Sequence, residues 1–450
     1  MTTLTDTQTD TLESLARALR PGGSDQAPAW LTERRAAALS RFNELGLPGS
    51  RDEDWRQTNL DPLRKASFTF PAPAPTRDAA DPTAIGRIEG LDAFRLVFVN
   101  GRFAPAMSNL EGLDSKVTVL NLAEGLEQAE SLVGEHFDRH VGHEDDVFAL
   151  LNTAMMEDGL YIHVPDGAVL SRPLHVIYHT EAADQPVLTN PRNLIIIGRN
   201  ARATVIEHFV SAAPAGPVHL TNAVTEIVAD EDAILEHYRL EEESTDAFHI
   251  SSVGITQQAR ADVSSHTVLF GGRLVRNNVR PMLEGDHCGC LVNGLYVPAG
   301  RQHVDNHMRV EHVGTHGDSR QFYKGVLLDE ASSAFSGRIV VAQQGQKTDA
   351  KQTNANLLLS DKARAHTKPQ LEIYADDVKC THGATCGELD EKAIFYLQSR
   401  GIDRTTATSI MVFAFAAEAL ERMKLEPIRE RLGTALLQRL PGGDRVRRVL

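Results

Sequence analysis

R-N-A-R-A-T-V, from Arg199 to Val205, is a polar, alanine-rich turn running into an alternating strand, and its pattern returns along the chain. D-E-D-A-I-L-E begins at Asp230, Q-A-R-A-D-V-S at Gln258, D-E-A-S-S-A-F at Asp329 and D-K-A-R-A-H-T at Asp361. With a turn around Glu284 to His287 counted as a corner, the spacing is roughly 26 to 32 residues, leaving one wider gap of roughly 44 before Asp329. A period of this size, carried by strands with no helix between them, predicts the coils of a solenoid. Its strands should stack with inward aliphatic ladders such as Leu194, Ile196 and Val205, or Val326, Leu328 and Val340. An antiparallel sandwich is the competing reading, but hairpin dipeptides are scarce between these strands.

Outward from this core, Phe94 to Phe103 reads as a strand pair with Asn100-Gly101 as its hairpin turn. A helical insertion follows from about Leu120 to Met156, and its histidines His136, His140 and His143 should be exposed among acidic neighbours. At the N-terminal side, apolar residues recur at helical spacing from Asp10 to Leu19 and from Pro28 to Leu45. Trp55, Leu60 and Leu63 can pack on that unit, and Pro71 to Thr83 reads as a linker.

At the other end Asp390 is an N-cap, Gly401 a stop, Asp403 a second N-cap for a helix from Arg404 to about Lys424, and Pro427 a first-turn proline. I-M-V-F-A-F-A-A from Ile410 is apolar nearly all round, so that helix must be buried in a bundle or covered by a partner. The expected division is therefore 1–83 helical with a linker, 84–387 solenoid with its insertion, and 388–450 helical.

The composition is that of an ordinary globular protein: 450 residues, 42% apolar, with a formal charge of -15 that argues against a general nucleic-acid or membrane-surface binder. Arg429, Arg431, Arg439, Arg445, Arg447 and Arg448 make the terminus locally basic, which marks either a partner surface or, the favoured reading, a solvated helix face. No stretch reaches the roughly 20 apolar residues of a membrane span, and Met1 to Asp10 lacks a signal-peptide pattern, so a cytoplasmic location is expected. The four cysteines, Cys288, Cys290, Cys380 and Cys386, are too few for a disulfide framework.

No phosphate-binding loop, dinucleotide fingerprint or nucleophile elbow is present, which argues against a self-contained enzyme. His303, His307, His312 and His316 lie too far apart along strands, roughly 13 Å for four residues, to share one ion. Cys288 and Cys290 read as reduced core cysteines. The densest ligand chemistry is V-K-C-T-H-G-A-T-C-G, from Val378 to Gly387. In a strand Cys380 and His382 share a face and would look outward together, yet at about 7 Å apart they do not complete a tetrahedral site. They are either half of an intersubunit metal or cluster site or a buried structural pair.

Longer motifs carry a resemblance. D-N-H from Asp305, Y-K-G from Tyr323, F-S-G-R-I-V-V from Phe335, Q-K-T-D-A-K-Q-T-N-A-N-L-L-L-S from Gln346, P-Q-L-E-I-Y-A-D-D-V-K-C-T-H-G-A-T from Pro369 and I-F-Y-L-Q-S-R-G-I from Ile394 closely resemble the SufB/SufD family of iron-sulfur cluster assembly subunits. Weaker likeness extends through V-F-V-N-G-R-F at Val97, L-N-T-A-M at Leu151 and L-P-G-S-R-D-E-D-W-R at Leu47. K-C-T-H-G-A-T is of the SufD type. Thr381 stands where serine is commoner, and Cys386 is an additional thiol.

The resemblance implies a right-handed parallel β-helix flanked by N- and C-terminal α-helical units, pairing with a SufB-like protein. It implies a non-catalytic subunit whose His382, with Cys380 beside it, contributes to a transient iron-sulfur cluster at the subunit interface. Lys379 or a bound metal would favour the Cys380 thiolate. The C-terminal helices are expected to hold a SufC-like ABC-type ATPase, with Phe413, Leu420, Leu425 and Ile428 facing it. Flavin binding and a homodimer of the isolated chain stay open. The alternatives are a SufB-like scaffold holding the cluster alone and a solenoid that binds polysaccharide; two tryptophans and seven tyrosines are few for sugar stacking.

Overall fold

The computed structural model describes residues 27–71, 85–141, 146–181, 185–212, 218–446. The helix expected over Asp10–Leu19, most of the linker, His143, Arg447 and Arg448 lie outside the described residues. The chain is mostly β, a parallel solenoid of about 7 turns with flanking helices. Each coil gives one strand to each of two facing sheets, so strands two apart in sequence are hydrogen-bonded neighbours. In one sheet, for example, Arg202–Ser211 pairs in parallel with Ile234–Glu242, and that strand with Asp262–Leu269. Antiparallel pairing occurs at the N-terminal end, where Asn100 and Gly101 take the left-handed φ values of a tight hairpin and align Phe98 with Phe103.

The repeated turn is one corner of the solenoid. Asn200, Asp232, Arg260, His287, His316 and Lys347 all have φ between 54° and 63°, the left-handed region that costs a non-glycine residue about 1–2 kcal/mol. The same backbone bond offsets that cost in every coil: Asn200 N–H donates to Glu231 O at 2.9 Å, Arg260 N–H to Asp286 O at 2.8 Å, and His316 N–H to Gln346 O at 2.9 Å. Asp329, with φ 52°, sits at the opposite corner, where Glu330 N–H bonds Gly300 O at 3.0 Å. The wide gap in the sequence repeat is thus a step from one corner to the other.

The ladders differ from the expected register. Ile195, Ile197 and Val205 fill the lumen, whereas Leu194 and Ile196 point out beneath the helical insertion. Leu327 points in and Val326 out, and it is Ile339 and Val341, not Val340, that are buried. The cause is that both faces are covered. The C-terminal helices pack on one sheet, and the Ala29–Leu45 and Val147–Met155 helices on the other, so the strands are apolar on both sides and alternation loses its meaning.

Inside the lumen, large side chains lie over glycines. A Cβ at Gly294 would stand 2.2 Å from the Tyr323 ring, and one at Gly325 would stand 2.3 Å from Tyr296. Cys288 and Cys290 are buried, and burial pushes the Cys288 thiol up to about 11, as expected of reduced core cysteines.

His312 is fully buried beside Ser319 Oγ at 2.8 Å, and burial lowers its pKa to about 4. A histidine held neutral in the fold and titrating near 6.5 when unfolded stabilises the protein above pH 6.5 and loses that contribution as pH falls through 4. The loss amounts to about 3 kcal/mol at the acid end. Urea midpoints compared between pH 7.5 and 4.5 should fall, and His312→Asn should flatten that dependence; an unchanged slope in the variant would refute the assignment.

Candidate functional site

Among the described residues the last strand, Lys379–Gly387, pairs only with Asp349–Leu358, and the preceding strand, Arg364–Ile373, only with Ser332–Val341. Both sheets therefore end, side by side, in unpaired edges. The register stacks Cys380 on Ala350, His382 on Gln352 and Cys386 on Asn356. Ala350, Gln352 and Asn356 are buried on the lumen side, so all three ligand-type residues share one face, as period two requires. That face is the lumen side of the final coil rather than the outer wall. Among the described residues no further coil covers it, which leaves His382 and Cys386 exposed and Cys380 half-buried against the Ile339 and Val341 cluster.

Burial raises the Cys380 thiol, with the Asp349 charge acting the same way, so without a metal the proton stays on sulfur despite neighbouring Lys379. Cys386 is also raised by burial, opposed by Asn356, whose Nδ2 points at its sulfur from 3.9 Å. Among the described residues no group of three or more His, Cys, Asp or Glu side chains could hold a metal ion. Gln352 and Asn356, stacked beneath His382 and Cys386, escaped the sequence reading, although Q-T-N-A-N shows polar residues at every second position one coil before them.

The remaining histidines have local partners. His303 lies between Thr58 at 2.9 Å and Ser332 at 2.8 Å, and His307 lies 3.3 Å from Asp54. His316 stacks on His287. His136 and His140 are half-buried and hydrogen-bonded to one another at 3.3 Å, not exposed, because the insertion is drawn down onto Glu226.

The C-terminal helices begin where the caps foretold. Asp390 precedes Glu391–Ser399 and accepts from Lys392 N–H; Asp403 precedes Arg404–Leu420 and accepts from Thr406 N–H at 3.1 Å; Pro427 opens Glu426–Arg439. The second helix is apolar all round because the sheet takes one side and its neighbouring helices the others. Consequently Leu420 and Ile428 are buried against Tyr238, Leu240 and Val268, and Phe413 and Leu425 are half-buried in the same cluster, so these four join the helices to the solenoid. On these helices the exposed aromatics are Phe395 and Tyr396, 72% and 57% accessible. The basic side chains are engaged too: Arg431 pairs with Glu242 and Arg439 lies over the Phe270 ring at 4.5 Å. No helix among the described residues is long and apolar enough to cross a membrane.

Comparison with known proteins agrees with this architecture. The family model "SUF system FeS cluster assembly, SufBD core domain" matches residues 178–415, and the "SufBD protein N-terminal region" matches residues 13–176. The iron-sulfur cluster assembly protein SufD of Escherichia coli is 34% identical over 92% of this chain and 95% of its own length. An iron-sulfur cluster assembly SufBD family protein of Synechocystis is 34% identical over 89% of each chain. With a parallel solenoid, terminal helices and near full-length similarity, the chain belongs to the SufB/SufD family of iron-sulfur cluster assembly proteins, on its SufD-type branch.

Proposed function

We propose that this chain is the SufD-like, non-catalytic component of a cytoplasmic cluster-assembly scaffold, pairing with a SufB-like subunit through the free edges of its last two strands. His382 and Cys380 form half of the site at which a transient iron-sulfur cluster, the cargo of the machinery, is built. The observation that carries this reading is their placement on one face of an edge strand that is unpaired among the described residues, where no third ligand-type side chain joins them. A complete tetrahedral set must then draw on a second chain. A SufC-like ATPase docks on the C-terminal helices, and the exposed Phe395 and Tyr396 make their surface a better candidate contact than the buried Leu420 and Ile428.

The test is His382→Ala in the co-expressed complex, reconstituted anaerobically with iron and sulfide. Bound iron and the visible absorption of the cluster should fall at least about tenfold, the scale expected when a ligand shell is disturbed. Subunit assembly should stay intact. Normal cluster yield would remove His382 from the site.

A further inference from the structure

On the outer face of the sheet, away from the edge strands, two buried histidines and a partly buried carboxylate form a relay. Glu242 Oε2 lies 2.9 Å from His208 Nε2, and His208 Nδ1 lies 3.2 Å from His175 Nε2. Burial works to raise the Glu242 carboxyl, but His208 and Arg431 outweigh it and bring it down to about 2, so this end of the relay is a carboxylate. A carboxylate only accepts, so His208 donates from Nε2; in the neutral tautomer this leaves Nδ1 as the acceptor, and His175 donates to it from Nε2. His175 Nδ1 is left as a lone pair. Burial keeps this imidazole neutral by pushing its pKa well below the ordinary value.

His175 is 5% exposed and lines a cavity of about 620 Å³ formed with the segment from Arg87 to Arg95. Gly86 lets that segment lie flat on the relay, since a Cβ there would meet Ile177 at 3.2 Å and His208 Nδ1 at 3.3 Å. Two guanidiniums border the cavity. Arg95 spends Nε on Met107 O at 3.2 Å and Nη2 on Ile85 O at 2.8 Å, so it supplies mainly charge, whereas Arg87 is exposed at the rim. Among the described residues the one lining carboxylate, Asp92, is paired with Arg172 at 3.0 Å.

We propose that this cavity is an anion site selective for an oxyanion that keeps a proton at neutral pH, of which hydrogen phosphate is the simplest: Arg87 takes the negative oxygens with the charge of Arg95 behind them, and His175 Nδ1 accepts the remaining O–H. A fully deprotonated oxyanion such as sulfate would instead turn a lone pair on the lone pair of His175, leaving a buried acceptor unpaired. A phosphomonoester, with its second pKa near 6, is mostly without that proton above pH 7. The site discriminates by hydrogen-bond polarity as well as charge.

The test is calorimetric titration of the full chain at pH 7.5 with inorganic phosphate, with sulfate and with phenyl phosphate at matched ionic strength. Phosphate should bind saturably, and sulfate and phenyl phosphate at least about tenfold more weakly. Arg87→Ala, at an exposed position that does not threaten the fold, should weaken phosphate about tenfold. His175→Gln should erase the preference over sulfate. Equal affinity for phosphate and sulfate, absence of saturable phosphate binding, or indifference to Arg87→Ala would each overturn the proposal. The readout involves no cluster, so it stands or falls apart from the assembly function.

Discussion

Arg192→Ala should cost about 3–5 kcal/mol of stability, the range for removing one partner of a buried ion pair. Arg192 is fully buried, with Nη2 2.6 Å from Glu226 and 3.1 Å from Asp138, and Nη1 2.9 Å from Thr153 Oγ1. Its guanidinium also lies over the Phe137 ring at 4.4 Å. Glu226 in turn accepts the backbone N–H groups of Asp138, Arg139 and His140 at 2.7 to 2.9 Å, so one ion pair pins the helical insertion to the solenoid wall. Burial opposes the Glu226 charge and Arg192 is the largest factor sustaining it. Without the arginine, a carboxylate 1% exposed stays behind with no cation.

Arg192→Lys should recover little, because a single ammonium cannot serve Glu226, Asp138 and Thr153 with the geometry of the fork. Arg192→Met combined with Glu226→Gln should recover much of the loss, as replacement of whole buried pairs does. Denaturant midpoints of the four proteins check this. A drop below about 1 kcal/mol in Arg192→Ala would show that the pair is not what holds the insertion.

That interaction illustrates where sequence reading ended. Local signals were legible: Asp390, Asp403 and Pro427 announced helices through chemistry confined to one turn, and the corner motif announced coils because every coil pays the same left-handed φ. Register was not, because strands such as Arg192–Ile197 are buried on both faces and a shift of one residue leaves the apolar pattern unchanged. The two corners look alike for a similar reason, since each is a polar turn entering a strand, and only the wide gap betrays the change between them. Period two correctly placed Cys380 and His382 on one face; which face depends on where the solenoid stops. Arg192 with Glu226, and the Glu242–His208–His175 relay, join titratable residues from separate coils. Nothing in their immediate neighbours marks them as buried.

Ala384→Pro should abolish the proposed pairing with a SufB-like subunit, weakening it at least about a hundredfold, while leaving the isolated chain within about 1–2 kcal/mol of its normal stability. In a parallel strand, N–H groups of alternate residues point to opposite neighbours. Lys379 N–H donates to Thr348 O at 2.8 Å within the solenoid, which assigns 381, 383 and 385 to the inner ladder. The N–H groups of Cys380, His382, Ala384 and Cys386 then point to the open edge. Proline at 384 keeps the inner ladder, deletes one outward donor and sets its ring where a neighbouring strand would lie. Thr385→Pro, one residue on, should do the reverse: it removes an inner bond and costs about 3 kcal/mol of stability in the chain alone. Ala384 does not itself carry a ligand, so the cluster lost with Ala384→Pro is lost through pairing. Size-exclusion light scattering of each variant with its partner, alongside thermal unfolding of the chain alone, separates these outcomes. If Ala384→Pro still assembles and builds cluster, the subunits meet elsewhere, and His382 and Cys380 cannot be completed across this edge.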